Sequence, residues 1–179
     1  MRHLYFVRHG HYHKPDSPDG KLTAIGRRQA RRTGRRLASV PIEAIHGSDL
    51  MRAAETPFIL AEALGGLSVK RSKVLREMLP TSVPGVQVPL ETRRRGKRNL
   101  DAIVSRYFRT SRRECHEVVV CHGNLIRSLA CHALGVRLTA WLQLDARYRG
   151  ITHFIVRDGS IRMVSYNDTG HLPVALVTG

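Results

Sequence analysis

Short apolar runs alternate along this chain with longer stretches in which apolar residues recur at helical spacing. The runs "LYFV" (4–7), "IEAIHGS" (42–48) and "EVVVCH" (117–122) lead into Arg-His-Gly, Ser-Asp and Gly, a pattern that predicts buried strands. Between them, 22–40 and 49–64 predict helices, the first opened by Thr23 as N-cap and the second closed at Gly65-Gly66. Pro57 lies inside the second, which predicts a kink or a shifted start. Apolar residues at 100, 103, 104, 107 and 108 predict a helix over 100–110, and 124–134 predicts another. Residues 67–75 read as an edge strand. Residues 80–98 hold three prolines without any period, so they read as a loop with a basic end. Alternation across "ITHFIVRDGSIRMVSYND" (151–168) predicts a hairpin around a Gly-containing turn. The order β-α-β-α-β-α-β-α-β-β predicts an α/β sandwich with a mostly parallel sheet, built as a single domain over 1–179.

Charge adds a sign of partner to that outline. Thirty basic residues against 14 acidic ones give a formal net charge of +16, which favours anionic partners. Six arginines (27, 28, 31, 32, 35 and 36) share about half of one helix, and Arg93, Arg94, Arg95, Lys97 and Arg98 form a second cluster. Aromatic residues make up only 6% of the chain and no nucleic-acid motif accompanies these runs, so nucleic acid is disfavoured as the main partner. The arginines read as a solvated face, or as a funnel for an acidic phosphoprotein or a polyphosphorylated ligand. No apolar run approaches the roughly 18–20 residues that cross a bilayer, which sets aside a membrane and leads to the expectation of a cytoplasmic protein. Cys115, Cys121 and Cys131 contain no C-x-x-C pair and read as reduced, buried thiols.

In open parallel sheets ligands gather at the carboxyl ends of the strands. Four groups carrying chemistry fall there: Arg8-His9-Gly10, Ser48 to Arg52, Arg76-Glu77 and His122-Gly123. Arg8 and Arg52 match phosphate oxygens with fixed donor forks, and Gly123 opens a helix whose free N–H groups suit an anion. Neutral histidine accepts a phosphoryl group when held in line with phosphorus, and neighbouring cations disfavour its imidazolium form. A carboxyl such as Glu77, with its pKa raised, can protonate a leaving oxygen. The set fits two-step phosphate ester hydrolysis without a metal or other cofactor. The alternative for Glu77 is a plain ion pair with Arg76.

"RHG" after the first strand, "LTAIGRRQA", "SDLMRAAET", "LRE" and "CHGN" resemble, in order, the signature stations of the histidine phosphatase superfamily (phosphoglycerate mutase-like), over residues 2 to about 172. The resemblance implies a three-layer α/β/α sandwich with a mostly parallel mixed sheet. It also implies His9 as nucleophile, Glu77 as proton donor, Arg8, Arg52 and His122 around the phosphate, and the Gly123 backbone capping it. "ACHALGVRLTAWLQL", "GITHFIVR" and "NDTGHLP" are similar to the branch of mitochondrial serine/threonine protein phosphatases. That branch carries a membrane anchor and an activation motif ahead of its phosphatase domain; this chain shows neither, so its anchoring and partner control are not expected to transfer. The implied substrate is a phosphoserine or phosphothreonine protein, with a small phosphorylated metabolite as the alternative. A homodimer is compatible with the sequence.

Two departures matter. Many family members carry glutamate where this chain has His11, and 80–98 is much shorter than the insertion of true mutases, which favours hydrolysis over mutation. His9, His11 and His13 alternate as metal ligands on one strand would. A divalent cation beside Arg8 and Arg52 would be repelled, and the acidic residues close in sequence, Asp16 and Asp19, fall in a loop, so no metal is expected there. His11 and His13 are therefore placed at the pocket rim. Asn124 and Arg127 either touch substrate or cap and solvate their helix.

Overall fold

A computed structural model describes residues 1–13 and 20–179. Asp16 and Asp19 lie outside the described residues. Strand β1 (Arg2–Arg8) is followed by helix α1 (Ala24–Leu37), β2 (Ile42–Ser48), α2 (Met51–Ala63) and β3 (Val69–Ser72). A 3-10 turn (Lys73–Leu75) leads to α3 (Leu90–Tyr107), β4 (Cys115–Cys121), α4 (Gly123–Ala133) and the hairpin β5 (Ile151–Arg157) and β6 (Ser160–Asp168). The six strands form one sheet in the order β3-β2-β4-β1-β5-β6. The pairings β1–β4, β2–β4 and β2–β3 are parallel, and β1–β5 and β5–β6 antiparallel, as a mostly parallel mixed sheet requires. None of the described helices is long and apolar enough to cross a membrane.

Both faces of the sheet are covered, which is why its central strands read as unbroken apolar runs. Tyr5, Val7, Ile45, Val118 and Val120 pack beneath Leu37 of α1 and Leu60 and Ala61 of α2. Leu4, Phe6, Val119, Cys121 and Phe154 face the other way, against Leu100, Ile103 and Tyr107 of α3 and Leu125 and Leu129 of α4. All three cysteines are buried and free. Thr23 caps α1 as its sequence foretold, its side chain accepting from the Gly26 N–H at 3.1 Å. Helix α2 starts at Met51 and runs through Pro57, so the proline marks no shifted start; its ring packs beside Gly47 of β2.

The stretch 80–98 is the main correction. Its second half is helical, because α3 begins at Leu90, ten residues before the apolar spacing starts. Arg, Lys and Glu are good helix formers, and this half is exposed, so no apolar stripe is needed to extend a helix anchored by Leu100, Ile103 and Tyr107. Gly96 fixes how that helix lies. A Cβ there would come within 2.6 Å of the Leu79 carbonyl oxygen, so only glycine lets α3 sit against the segment that follows Glu77. The strand expected over 67–75 is also shorter, four residues at the sheet edge followed by the 3-10 turn.

Gly96→Val is expected to lower unfolding free energy by about 1–3 kcal/mol, the usual cost of overpacking, read as a reduced urea midpoint at unchanged m value. The backbone atoms it meets cannot rotate away. An unchanged midpoint would show that α3 does not clamp this segment.

Candidate active site

Three parallel strands end side by side, and β1 and β4 mark the point where strand order reverses. Residues just beyond them therefore share one crevice. His9 follows β1, Ser48 closes β2, and His122 follows β4 as the residue before α4. Arg52 enters from the first turn of α2. The rings of His9 and His122 lie 5.1 Å apart between centroids, both fully or nearly buried. The loop carrying His9 is held from three sides. The His9 N–H donates to the Cys121 carbonyl at 3.0 Å, the Gly10 N–H to Thr56 Oγ1 at 3.3 Å, and the His11 N–H to Gln29 Oε1 at 2.9 Å. Gly26 is the hinge of this contact, since a Cβ there would lie 2.0 Å from the His11 carbonyl oxygen.

Hydrogen-bond partners fix how the imidazoles carry their protons. Arg52 Nε can only donate, and it lies 3.3 Å from His9 Nε2, so that nitrogen presents a lone pair. The Gly10 carbonyl can only accept, and it lies 2.9 Å from His9 Nδ1, so the proton is there. For His122 the chain is longer. The Leu50 N–H donates to Ser48 Oγ at 3.3 Å, and that hydroxyl lies 3.0 Å from His122 Nε2, with its own proton available to donate there. With the hydroxyl donating, the ring proton is on His122 Nδ1, an atom that is buried and lacks a hydrogen-bond partner.

Burial is the first cause of the low basicity of both rings. It pushes His9 well below 6.5, with His122, Arg8 and Arg52 adding to the effect against the Gly10 carbonyl. His122 is pushed the same way by burial, then by Arg52 and Arg8, with Asp49 opposing. Sequence reasoning credited the cations; desolvation comes first. Arg8 is itself desolvated, which lowers its pKa. Its guanidinium lies 4.0 Å from the Tyr148 ring centroid and donates to the Ala146 carbonyl, while its buried Nε has no partner. Arg52 lies over Tyr12 at 5.1 Å.

Glu77 sits at the edge of this crevice with part of its surface exposed. Protein atoms crowd its carboxyl, and that desolvation raises its pKa against the Met78 N–H and Arg8, Arg52 and Arg127. It makes no pair with Arg76, which forks instead onto Asp49 at 2.7 Å through both nitrogens. Gly123 opens α4 beside Arg8, as expected.

The rim residues divide. Strand β1 stops at Arg8, so His9, His11 and His13 never share a strand face. His11 Nδ1 is within 2.9 Å of Thr23 Oγ1, its ring 5.5 Å from Tyr148; His13 is exposed. Asn124 bonds the Met78 carbonyl at 3.1 Å and accepts from Arg127, which donates to the Leu144 carbonyl at 3.2 Å and stacks on Trp141. These two brace the wall behind Glu77. Sequence reasoning missed Tyr148, Tyr12 and the part played by Ser48. Nothing in "DARYRG" marks Tyr148, whereas Ser48 at a strand end was a legible signal. Beside the crevice is an open hollow of about 470 Å³ that does not include His9; Lys21, Arg27, Asp49, Met51, Phe58 and Arg71 are among its walls.

With both imidazoles held neutral, proton uptake as pH falls favours the unfolded chain. Since the folded pKa values lie below 6.5, stability is complete above that value and is lost as pH falls through it toward the folded values. Nitrogen-15 spectra are expected to show His9 as the Nδ1–H tautomer and unprotonated at pH 6. Ser48→Ala should disturb the His122 tautomer alone. An imidazolium signal from His9 at that pH would contradict the assignment.

The model of the "Histidine phosphatase superfamily (branch 1)" matches residues 4–94 and 80–169. The mitochondrial serine/threonine-protein phosphatase PGAM5 of Mus musculus is 32% identical over 190 residues, covering 99% of this chain. The chain spans 66% of that relative's length, just under two thirds. Among solved structures, a phosphoglycerate mutase of Plasmodium falciparum superposes with a TM-score of 0.67 at 26% identity, covering 97% of this chain and 94% of the other. A phosphoserine phosphatase of Entamoeba histolytica gives 0.71 at 20% identity, covering 97% and 100%.

Proposed function

The chain belongs to the histidine phosphatase superfamily, and from that premise we propose that it is a metal-independent phosphomonoesterase working through phospho-His9, with a phosphoserine or phosphothreonine protein as substrate. The observation that carries this reading is the state of the crevice: His9 Nε2 presents a lone pair to Arg52, and in the same crevice the buried Arg8 Nε and His122 Nδ1 have no hydrogen-bond partner. A phosphoryl group satisfies all of them. Arg8, Arg52, His122 Nδ1–H and the Gly123 N–H bind its oxygens, supplying the positive charge that a divalent ion supplies elsewhere. As Arg52 turns to the phosphate, the lone pair of His9 is released for attack. The N–P bond forms as the ester P–O bond breaks, and Glu77 gives its proton to the departing alkoxide. Glu77, now a carboxylate, takes a proton from water; that oxygen attacks phosphorus, the N–P bond breaks, and inorganic phosphate leaves with His9 neutral again.

A protein substrate is supported by the likeness to PGAM5 and by the hollow beside the crevice. Its Lys21 and Arg71 suit acidic flanks, Arg27 being paired with Glu55 of the same wall, and Met51 and Phe58 stand 45% and 47% exposed beside them. A small phosphorylated metabolite remains the second reading, favoured by the fold shared with a phosphoserine phosphatase. We read residues 1–179 as one catalytic domain, and the three reduced cysteines support the cytoplasm as its compartment.

In excess chelator, wild type is expected to hydrolyse an aryl phosphate, with His9→Ala lowering kcat by at least about 10³-fold. Activity that needs added metal, or that survives this substitution, overturns the reading. Glu77→Gln should lower turnover of a phosphoserine peptide by about 10²–10⁴-fold, the typical worth of a general acid. With the aryl ester, whose leaving group needs no proton, the same variant should pass the first step and accumulate acid-labile phosphoenzyme. Equal losses on both esters, without accumulation, would remove Glu77 from the mechanism.

A further inference from the structure

The far end of the sheet carries a second cluster of histidines. Parallel pairing of β1 with β4 sets His3 directly opposite His116, and antiparallel pairing with β5 sets Tyr5 opposite His153. All four side chains emerge on one face, with His3 and His116 where β1 and β4 begin, at the end away from His9. The His3 and His116 rings stack with centroids 4.2 Å apart and planes 7° from parallel. Glu114, just ahead of β4, reaches over both: its Oε1 lies 3.3 Å from His3 Nε2 and 3.4 Å from His116 Nε2.

We propose that His3, Glu114 and His116 form a zinc site, coordinating the ion through the two Nε2 atoms and a carboxylate oxygen, with water as fourth ligand. Three features carry this. First, the spacing fits: a tetrahedral ion with bonds of about 2.0–2.1 Å holds neighbouring ligand atoms roughly 3.3 Å apart. Two of the three protein edges already have that length, and the three ligand atoms lie within 4.8 Å of one another. The remaining edge closes as the His116 ring, partly open to solvent, tilts out of its stack.

Second, the outer partners are in place. His3 Nδ1 lies 3.1 Å from His153 Nε2, and His116 Nδ1 lies 3.3 Å from the Tyr5 hydroxyl oxygen. Each can accept an N–H, the arrangement by which a ligating imidazole keeps its other nitrogen free for metal. Third, with the protons on Nδ1, two nitrogen lone pairs and a carboxylate oxygen face one another with no hydrogen between. His3 Nε2 is shut from solvent and has no aligned hydrogen bond. A cation shared at this spacing would satisfy all three acceptors. Two imidazoles with one carboxylate suit zinc, or cobalt and nickel, rather than magnesium or calcium, which prefer all-oxygen shells. Glu114 has 58% of its side chain exposed, so the ion enters from solvent and keeps a water there. Bound zinc would tie the start of β1 to the start of β4.

The site is independent of the proposed phosphatase chemistry, and so is its test. Protein without a polyhistidine tag is titrated with Co²⁺, followed by the visible d–d absorption of a tetrahedral centre, and with Zn²⁺ in competition with a chromophoric chelator. One equivalent is expected to bind wild type and His9→Ala alike. Glu114→Gln, an exposed substitution that leaves the core untouched, should lose the cobalt band and bind zinc at least about tenfold more weakly; His116→Gln should behave the same way. Zinc should raise the Tm of wild type and leave that of Glu114→Gln unmoved. No stoichiometric binding to wild type, binding that survives both ligand substitutions, or binding lost in His9→Ala overturns the proposal.

Discussion

Positive charge is concentrated where water is scarce, and the rest of the crevice follows from that constraint. Two guanidiniums and two imidazoles converge at the ends of β1, β2 and β4. Desolvation keeps both imidazoles neutral and lowers the pKa of Arg8. Arg8 is held by groups that accept without bearing full charge, a carbonyl oxygen at Ala146 and the aromatic face of Tyr148, and Arg52 lies over the ring of Tyr12. A carboxylate in place of the groups on Arg8 would satisfy that guanidinium and repel an anion. Leaving the buried Arg8 Nε and His122 Nδ1 unmet costs stability, a cost that the oxyanion of the proposed reaction would offset.

Such a site demands a stiff frame, and the frame is built by close backbone contact. His9 is locked to β4 through the Cys121 carbonyl, and its loop touches α1 where Gly26 allows it and α2 through Thr56. Glu77 is reached differently, by a 3-10 turn after an edge strand, and is pressed from behind by α3 at Gly96. His9 therefore follows one of the two central strands, and Glu77 lies at the periphery, after the edge strand. The histidines at the opposite end of β1 and β4 obey the same sheet register, and their nitrogens meet the exposed carboxylate of Glu114 instead of an anion pocket.

The sequence itself determined the alternation of strands and helices, the buried character of β1, β2 and β4, the Thr23 cap, and the four polar groups that follow the strands, because each is written in local period or local residue type. It misjudged 80–98 because three prolines outweighed a run of helix formers whose apolar anchors lie a full ten residues later. It offered an even spacing of histidines that the end of β1 at Arg8 dissolves, leaving His9 inside and His13 exposed. Only the tertiary structure decided which nitrogen of His9 bears the proton, that Arg76 bonds Asp49 and leaves Glu77 to its own environment, and that Tyr148 lies under Arg8. Those are properties of partners that are brought together from across the chain by strand order, and no local pattern encodes the distance between them.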